Sequence, residues 1–95
     1  MNNYEAMFIV KPDLSEEESK TLFNQISDAV TKNQGSVAQA AVWQEKRKLL
    51  LRLKKCDEGI YYLMNFSLPA PAINEIRNIY KLNENILRVL ITRQD

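Results

Sequence analysis

The chain has 95 residues, of which 45% are hydrophobic and 26% are charged, and its formal net charge is +1. This length and composition indicate one soluble globular domain with a modest core and argue against disorder. The single cysteine, Cys56, excludes an internal disulfide and fits a reducing compartment. Because no secretion signal or long apolar segment is present, we expect one cytoplasmic domain over residues 1–95 with no membrane contact.

The first two elements are a strand and a helix. Residues 3–11 form an apolar run ended by Pro12, which predicts a strand that is central in its sheet. Ser15 and Glu18 form a capping-box pattern before an amphipathic segment, which predicts a helix over roughly residues 16–33. Gly35 is expected to end this helix in a left-handed conformation. Alternation places the first strand's residues on two faces, one with Tyr4, Ala6, Phe8 and Val10 and the other with Glu5, Met7 and Ile9.

The second half predicts a hairpin, a helix and a final strand. Residues 36–54 indicate a long strand that is interrupted at 44–48, and residues 55–59 have the composition of a turn before a strand over 60–68. A helix is expected from Pro69 to about Lys81, followed by a strand over 85–92. The helix has an apolar stripe of four residues, Ile73, Ile76, Ile79 and Tyr80.

This order predicts an α+β fold of the ferredoxin-like split βαβ type, with a four-stranded antiparallel sheet and both helices on one face. Phe8, Phe66 and Ile76 are expected in the core. The opposite face stays open, and an exposed apolar patch there indicates a binding surface. A register error of one residue would reverse the two faces. The predicted open face comprises Met7, Ile9, Tyr61, Leu63, Arg88 and Leu90.

A basic segment follows Trp43. Between Lys46 and Lys55 there are six basic residues and no acidic residue. Such a cluster can attract an anionic partner, although lysines also protect an edge strand against aggregation.

The residues needed for catalysis are missing. The chain has no histidine, no glycine-rich phosphate loop and no metal-ligand spacing, so we expect no enzyme, no metal site and no cofactor. Three kinds of binding protein remain: an RNA-binding module, a protein-binding sheet, and a ligand-sensing regulator of ferredoxin-like fold.

Short motifs in a fixed order resemble the protein six family of the bacterial small (30S) ribosomal subunit. These motifs cover essentially the whole chain. Tyr4-Glu5 stands before an apolar strand and Pro12-Asp13, and Trp43 stands ahead of Lys46-Arg47-Lys48-Leu49. The two remaining motifs are Tyr61-Tyr62-Leu63-Met64-Asn65-Phe66 and Leu82-Asn83-Glu84-Asn85-Ile86-Leu87-Arg88.

The resemblance implies a structural ribosomal protein of ferredoxin-like fold that supports subunit assembly and translation. It would bind the central domain of 16S ribosomal RNA together with ribosomal protein eighteen, and it would have no catalytic activity, cofactor or small-molecule substrate. The alternative is a ferredoxin-like protein-interaction or ligand-sensing regulatory module.

The expected contacts divide into two sets. On the RNA side, the resemblance implies Tyr4, Lys46, Arg47, Lys48 and Arg88, and charge alone adds Arg52, Lys54, Lys55 and Arg93. On the protein-partner side, the expected residues are Met7, Ile9, Trp43, Tyr61, Leu63 and Leu90.

Overall fold

In a computed structural model, the chain forms an α+β fold with two helices and an antiparallel sheet, as the sequence predicts. The structure describes residues 1–54 and 56–94, with the side chains at 46 and 50–52 outside the description. The elements are β1 (Asn2–Val10), α1 (Glu16–Lys32), β2 (Ser36–Leu53), β3 (Cys56–Leu68), a 3-10 helix (Ala70–Ala72), α2 (Ile73–Leu82) and β4 (Ile86–Arg93).

The sheet has the strand order β2-β3-β1-β4, and every neighbouring pair is antiparallel. β1 is central as predicted, because Phe8 pairs with Tyr62 on one side and with Val89 on the other. The predicted alternation along β1 is confirmed. Its even-numbered residues Tyr4, Ala6, Phe8 and Val10 are 7% exposed or less, whereas the intervening residues keep partial exposure.

Both helices cover the same face of this sheet. Leu22 and Ile26 of α1 and Ile76 and Tyr80 of α2 belong to one hydrophobic cluster with the buried face of the strands. The Tyr80 hydroxyl donates to the carbonyl oxygen of Ile26 at 2.6 Å. This buried hydroxyl therefore has a hydrogen-bond partner, and the bond links α2 to α1. Burial raises the pKa of Tyr80, which keeps this phenol protonated as a donor.

The predicted capping box begins α1. The Glu18 amide donates to the Ser15 hydroxyl oxygen at 3.1 Å, and the Ser15 amide donates to the Glu18 carboxylate at 2.9 Å. Hydrogen bonding by the Ser15 backbone amide lowers the pKa of the Glu18 carboxyl, and hydrogen bonding by the Ser15 side chain lowers it further.

The predicted end of α1 is wrong in one detail. Gln34, and not Gly35, adopts the left-handed conformation, with φ of 67°. The amides of Gln34 and Gly35 donate to the carbonyl oxygens of Thr31 and Val30 at 3.2 and 2.9 Å, which is a Schellman ending. Glycine is required at 35 for space, because a Cβ atom there would lie 2.6 Å from the Ser67 carbonyl oxygen.

The predicted turn at 55–59 is wrong for residues 56–59, and Lys55 lies outside the described residues. β3 already begins at Cys56, which pairs with Leu53, and Lys54 has a positive φ of 45°. β1 ends opposite Ile60, so the pairing of β2 with β3 continues beyond β1 over residues 47–54 and 56–59, a two-stranded segment here called the hairpin arm. The register between β2 and β3 shifts four times, which confirms the predicted irregular strand.

The apolar stripe of α2 is narrower than predicted. Ile76 is fully buried and Ile73 packs against the core, but Ile79 is 38% exposed. The helix therefore contributes mainly Ile76 and Tyr80 to the core. The predicted core positions Phe8, Phe66 and Ile76 are confirmed, each at 2% exposure or less.

We predict that Ile76→Ala destabilises the domain by about 2–5 kcal/mol, because it leaves a cavity in a closed core. The matched change Ile79→Ala, one helical turn away, should cost well under half as much because its side chain already meets solvent. Urea unfolding followed by circular dichroism measures both. Equal losses would contradict the observed packing of α2.

We predict that Gly35→Ala destabilises the domain by about 1–3 kcal/mol, because the added methyl group meets a backbone oxygen and the Val30 side chain. Gln34→Gly should be neutral or stabilising, since glycine suits a positive φ. Thermal unfolding of the two variants measures both effects. A tolerated alanine at 35 together with a harmful glycine at 34 would contradict this helix ending.

Candidate binding surface on the open face and the hairpin arm

The face of the sheet opposite the helices carries an apolar row across all four strands. Met7 of β1 pairs with Leu63 of β3 and with Leu90 of β4, and Leu63 pairs with Ala41 of β2. Met7 and Leu63 are half-buried, while Leu90 is 56% exposed. This apolar row lies in the centre of the open face, as the sequence predicts for a protein-binding surface.

A polar row borders it on the side of the β1 N-terminus. Glu5 pairs with Asn65 of β3 and with Thr92 of β4, and Asn65 pairs with Gln39 of β2. These four residues share the open face by strand alternation. The polar row contains one carboxylate, that of Glu5, which is half-buried.

A mixed row borders the apolar row on the other side. Ile9 pairs with Tyr61 and with Arg88, and Arg88 is exposed. Trp43 is 54% exposed, and its ring contacts the edge of Tyr61 at a centroid distance of 6.2 Å. A shallow groove of about 180 Å³ lies between Trp43 and Leu63 at the β2 edge. A partly exposed aromatic pair in the same row as an arginine is typical of a binding surface.

The hairpin arm extends from the mixed row. Arg47 pairs with Gly59, and Lys48 pairs with Glu58 on the reverse side; both basic residues are exposed. Gly59 is buried under Ile9, since a Cβ atom at 59 would lie 2.5 Å from Cγ2 of that residue. The arm is therefore seated against the sheet at its base, and its surface carries the exposed basic Arg47 and Lys48 together with the exposed acidic Asp57 and Glu58.

A lysine fixes the far end of the arm to the body of the domain. The Nζ atom of Lys54 donates to the carbonyl oxygen of Ile86, the first residue of β4, at 2.8 Å. This contact joins residues 32 positions apart. It limits how far the arm can swing from the sheet.

The other predicted RNA contacts are dispersed. Arg93 is exposed on the helix-facing side at the β4 edge, where its Nη2 atom donates to the side chain of Asn2 at 3.2 Å. Tyr4 is buried, with its ring stacked on Phe66 at 5.5 Å, so it offers little surface to a partner. The predicted contacts Lys46 and Arg52 lie outside the described side chains, and Lys55 lies outside the described residues.

Two features of this surface were missed at the level of sequence. Glu5 was placed on the open face, but its position at the centre of a polar row depends on the pairing of three strands. The contact of Lys54 with Ile86 joins distant segments and leaves no local signal. Strand alternation alone could place Glu5 beside Met7 on the open face, but it could not show that Asn65 and Thr92 lie on either side of Glu5.

The described residues include one free cysteine and no metal-binding cluster. Within residues 1–54 and 56–94, no group of three or more acidic or cysteine side chains could hold a metal ion. Cys56 is half-exposed and has no disulfide partner. None of the helices that the structure describes is long and apolar enough to cross a membrane.

Known proteins resemble this chain over nearly its full length. The family model for ribosomal protein S6 matches residues 3–93. A small ribosomal subunit protein bS6 from Thermoanaerobacter pseudethanolicus is 40% identical over 95 residues, covering 100% of this chain and 99% of the relative. One from Dictyoglomus turgidum is 40% identical over 92 residues, covering 97% of this chain and 94% of the relative. The crystal structure of 30S ribosomal protein S6 from Thermotoga maritima superposes with a TM-score of 0.88 at 26% identity, covering 98% of this chain and 87% of that one.

We predict that Lys54→Met speeds amide hydrogen exchange about fivefold in the hairpin arm, because a charge-assisted bond to Ile86 is lost. Exchange in the core segments of β1 should not change. Lys48→Met is the matched control, since it removes the same charge from the arm's surface. Unchanged exchange in the first variant, or equal effects in both, would contradict the tethering role of Lys54.

Proposed function

Because the chain belongs to the ribosomal protein S6 family, we propose that it binds the central domain of 16S ribosomal RNA together with ribosomal protein eighteen. In this role it is a structural component of the bacterial small ribosomal subunit, in the cytoplasm, and not an enzyme. The observation that carries the proposal is the family match over residues 3–93. We propose that residues 1–95 act as a single ribosomal-protein domain.

We assign the fold to the ferredoxin-like split βαβ class. The assignment rests on the order of strands and helices along the chain and on the strand order β2-β3-β1-β4 in the sheet. This fold leaves one sheet face free of helices, which is a requirement for the proposed use of that face.

The RNA is proposed to contact the hairpin arm and the neighbouring Arg88. Arg47, Lys48 and Arg88 are exposed, and arginine pairs well with phosphate because its guanidinium can donate two parallel hydrogen bonds. Lys46, Arg52 and Lys55 add charge to the same stretch of sequence. Such contacts release counterions from RNA, so affinity should fall as salt rises.

The partner protein is proposed to cover the apolar row together with Trp43 and Tyr61. Aromatic side chains that are partly exposed and already packed against a neighbour lose little conformational entropy on binding, and they often supply much of the binding energy. The ligand-sensing alternative has less support, because the described groove beside Trp43 is shallow and open to solvent.

We predict that the double variant Arg47→Ala/Lys48→Ala weakens binding to a central-domain RNA fragment by about tenfold at moderate salt and lowers the salt slope by about 1 to 2. The RNA is titrated with the domain already saturated with ribosomal protein eighteen, and complexes are separated by gel shift. Stability should change by only about 0.5 kcal/mol, because both side chains are exposed.

The control removes two positive charges from α1, on the helix-covered side of the sheet, as Lys20→Ala/Lys32→Ala, where both residues are exposed. RNA affinity of this control should stay within about twofold of the original, because neither residue belongs to the arm or to the open face. Equal losses in the two double variants would show a general charge effect. Binding that is unaffected by salt would contradict the proposal.

A further inference from the structure

We propose that the free domain pairs reversibly with a second copy of itself. The open faces of the two sheets pack against each other, with their strands running in opposite directions. The contact has two-fold symmetry about the apolar row, so Met7, Leu63 and Leu90 of one copy meet the same residues of the second copy. This self-association goes beyond the function proposed above and does not depend on it.

A charge of each sign stands on the open face, one on each side of the apolar row. Glu5 belongs to the polar row, and Arg88 belongs to the mixed row. Neither side chain forms a hydrogen bond or ion pair with any residue that the structure describes. Arg88 lies opposite Ile9, which is four residues from Glu5, or roughly 13 Å along the strand. The two charges are therefore too far apart to pair within one copy.

A second copy in the reversed orientation brings the two charges together. A two-fold axis that runs along the apolar row, between the sheets, reverses the strand direction and places the polar row of each copy over the mixed row of the other. Glu5 then lies over Ile9 of the second copy, with Arg88 of the second copy on the neighbouring strand, about 5 Å to the side. Sheets that pack face to face are about 10 Å apart, which these two long side chains can span. Because of the symmetry, each dimer contains this charge pair twice.

The apolar row supplies the centre of the contact. Leu90 is 56% exposed, and Met7 and Leu63 are half-buried, so apolar surface of both copies leaves water when the faces meet. On β3, the same symmetry places Tyr61 over Asn65 of the second copy, whose amide can bond to the phenol hydroxyl. The open face is therefore complementary to itself both in charge and in apolar character.

The size of the face determines the strength of the dimer. Three rows across four strands cover roughly 20 by 20 Å, or about 400 Å² of flat area per copy. This area is at the lower limit for a specific contact between proteins and is typical of weak, reversible association. We therefore expect a dissociation constant of about 100 μM, with monomers at low concentration. A protein that binds the same face more tightly displaces the second copy by mass action.

The test exchanges the two charges and measures self-association of the domain alone. Analytical ultracentrifugation is run at protein concentrations between about 10 μM and about 1 mM. Glu5→Lys and Arg88→Glu should each weaken self-association about tenfold, because both symmetric charge pairs of the dimer become repulsive. An equimolar mixture of the two variants should return to within about threefold of the original, since every mixed dimer again contains two attractive pairs.

The matched controls are Glu75→Lys in α2 and Lys20→Glu in α1, which make the same changes of charge at exposed positions on the helix-covered side of the sheet. Each control should self-associate as the original domain does. Circular dichroism checks that every variant folds. If a charge reversal unfolds the domain, Glu5→Gln and Arg88→Gln replace it, and each should weaken self-association about threefold.

A domain that stays monomeric over the whole concentration range would overturn the proposal. So would a mixture of the two folded charge variants that associates no better than either variant alone, or controls that weaken association equally. These outcomes leave the proposed function standing, because neither RNA nor another protein is present in the measurement.

Discussion

Complete burial of one side of β1 determines which residues reach the open face of the sheet. Ala6 and Phe8 have no exposed surface, because two helices and the neighbouring strands enclose that side. Since side chains alternate along a strand, the buried side places Glu5, Met7 and Ile9 on the opposite face. A shift of one residue would exchange the two sets, so the cost of exposing Phe8 determines which residues any partner can meet.

The pairing of β1 with β3 and β4 then arranges the open face into rows. Each row contains one residue from each strand that reaches it, which brings Met7, Leu63 and Leu90 together although they are far apart in sequence. The rows change in character along the strand, from polar at Glu5 through apolar at Met7 to cationic at Arg88. The hairpin arm continues this order, because β2 and β3 remain paired where β1 has ended.

The arm differs physically from the sheet that supports it. It has two strands, so each of its strands has one neighbour, and isolated two-stranded ribbons are only marginally stable. The Nζ atom of Lys54 and the packing of Gly59 beneath Ile9 attach its two ends to the body. The arm therefore presents its basic side chains from a fixed base, which suits a partner whose phosphates are regularly spaced.

Much of the fold follows from local sequence, and the exceptions depend on contacts between distant segments. Alternation along β1 and the capping box at Ser15 were predicted correctly because each is encoded within a few residues. The conformation at Gly35 was predicted incorrectly. Glycine is needed at 35 because the Ser67 carbonyl oxygen lies too close for a Cβ atom, and not because residue 35 has a positive φ.

The hairpin shows the same limit of local information. Residues 56–59 have a turn-like composition but pair as a strand, because residues of β2 lie opposite them. The sequence was enough to predict which apolar and basic residues belong to the surface, because they follow from strand alternation and charge. Their order in rows was not, because it follows from the register of three strand pairs.

We propose that a protein partner covers the middle of the open face and that RNA binds its basic end. A cryo-electron microscopy structure of the domain bound to the two proposed partners, ribosomal protein eighteen and the central-domain RNA, would show both positions. We expect protein density over Met7 and Leu90, and phosphates within hydrogen-bonding distance of Arg47 or Arg88. RNA lying across Met7, or a complex formed through the helices with the open face in solvent, would contradict it.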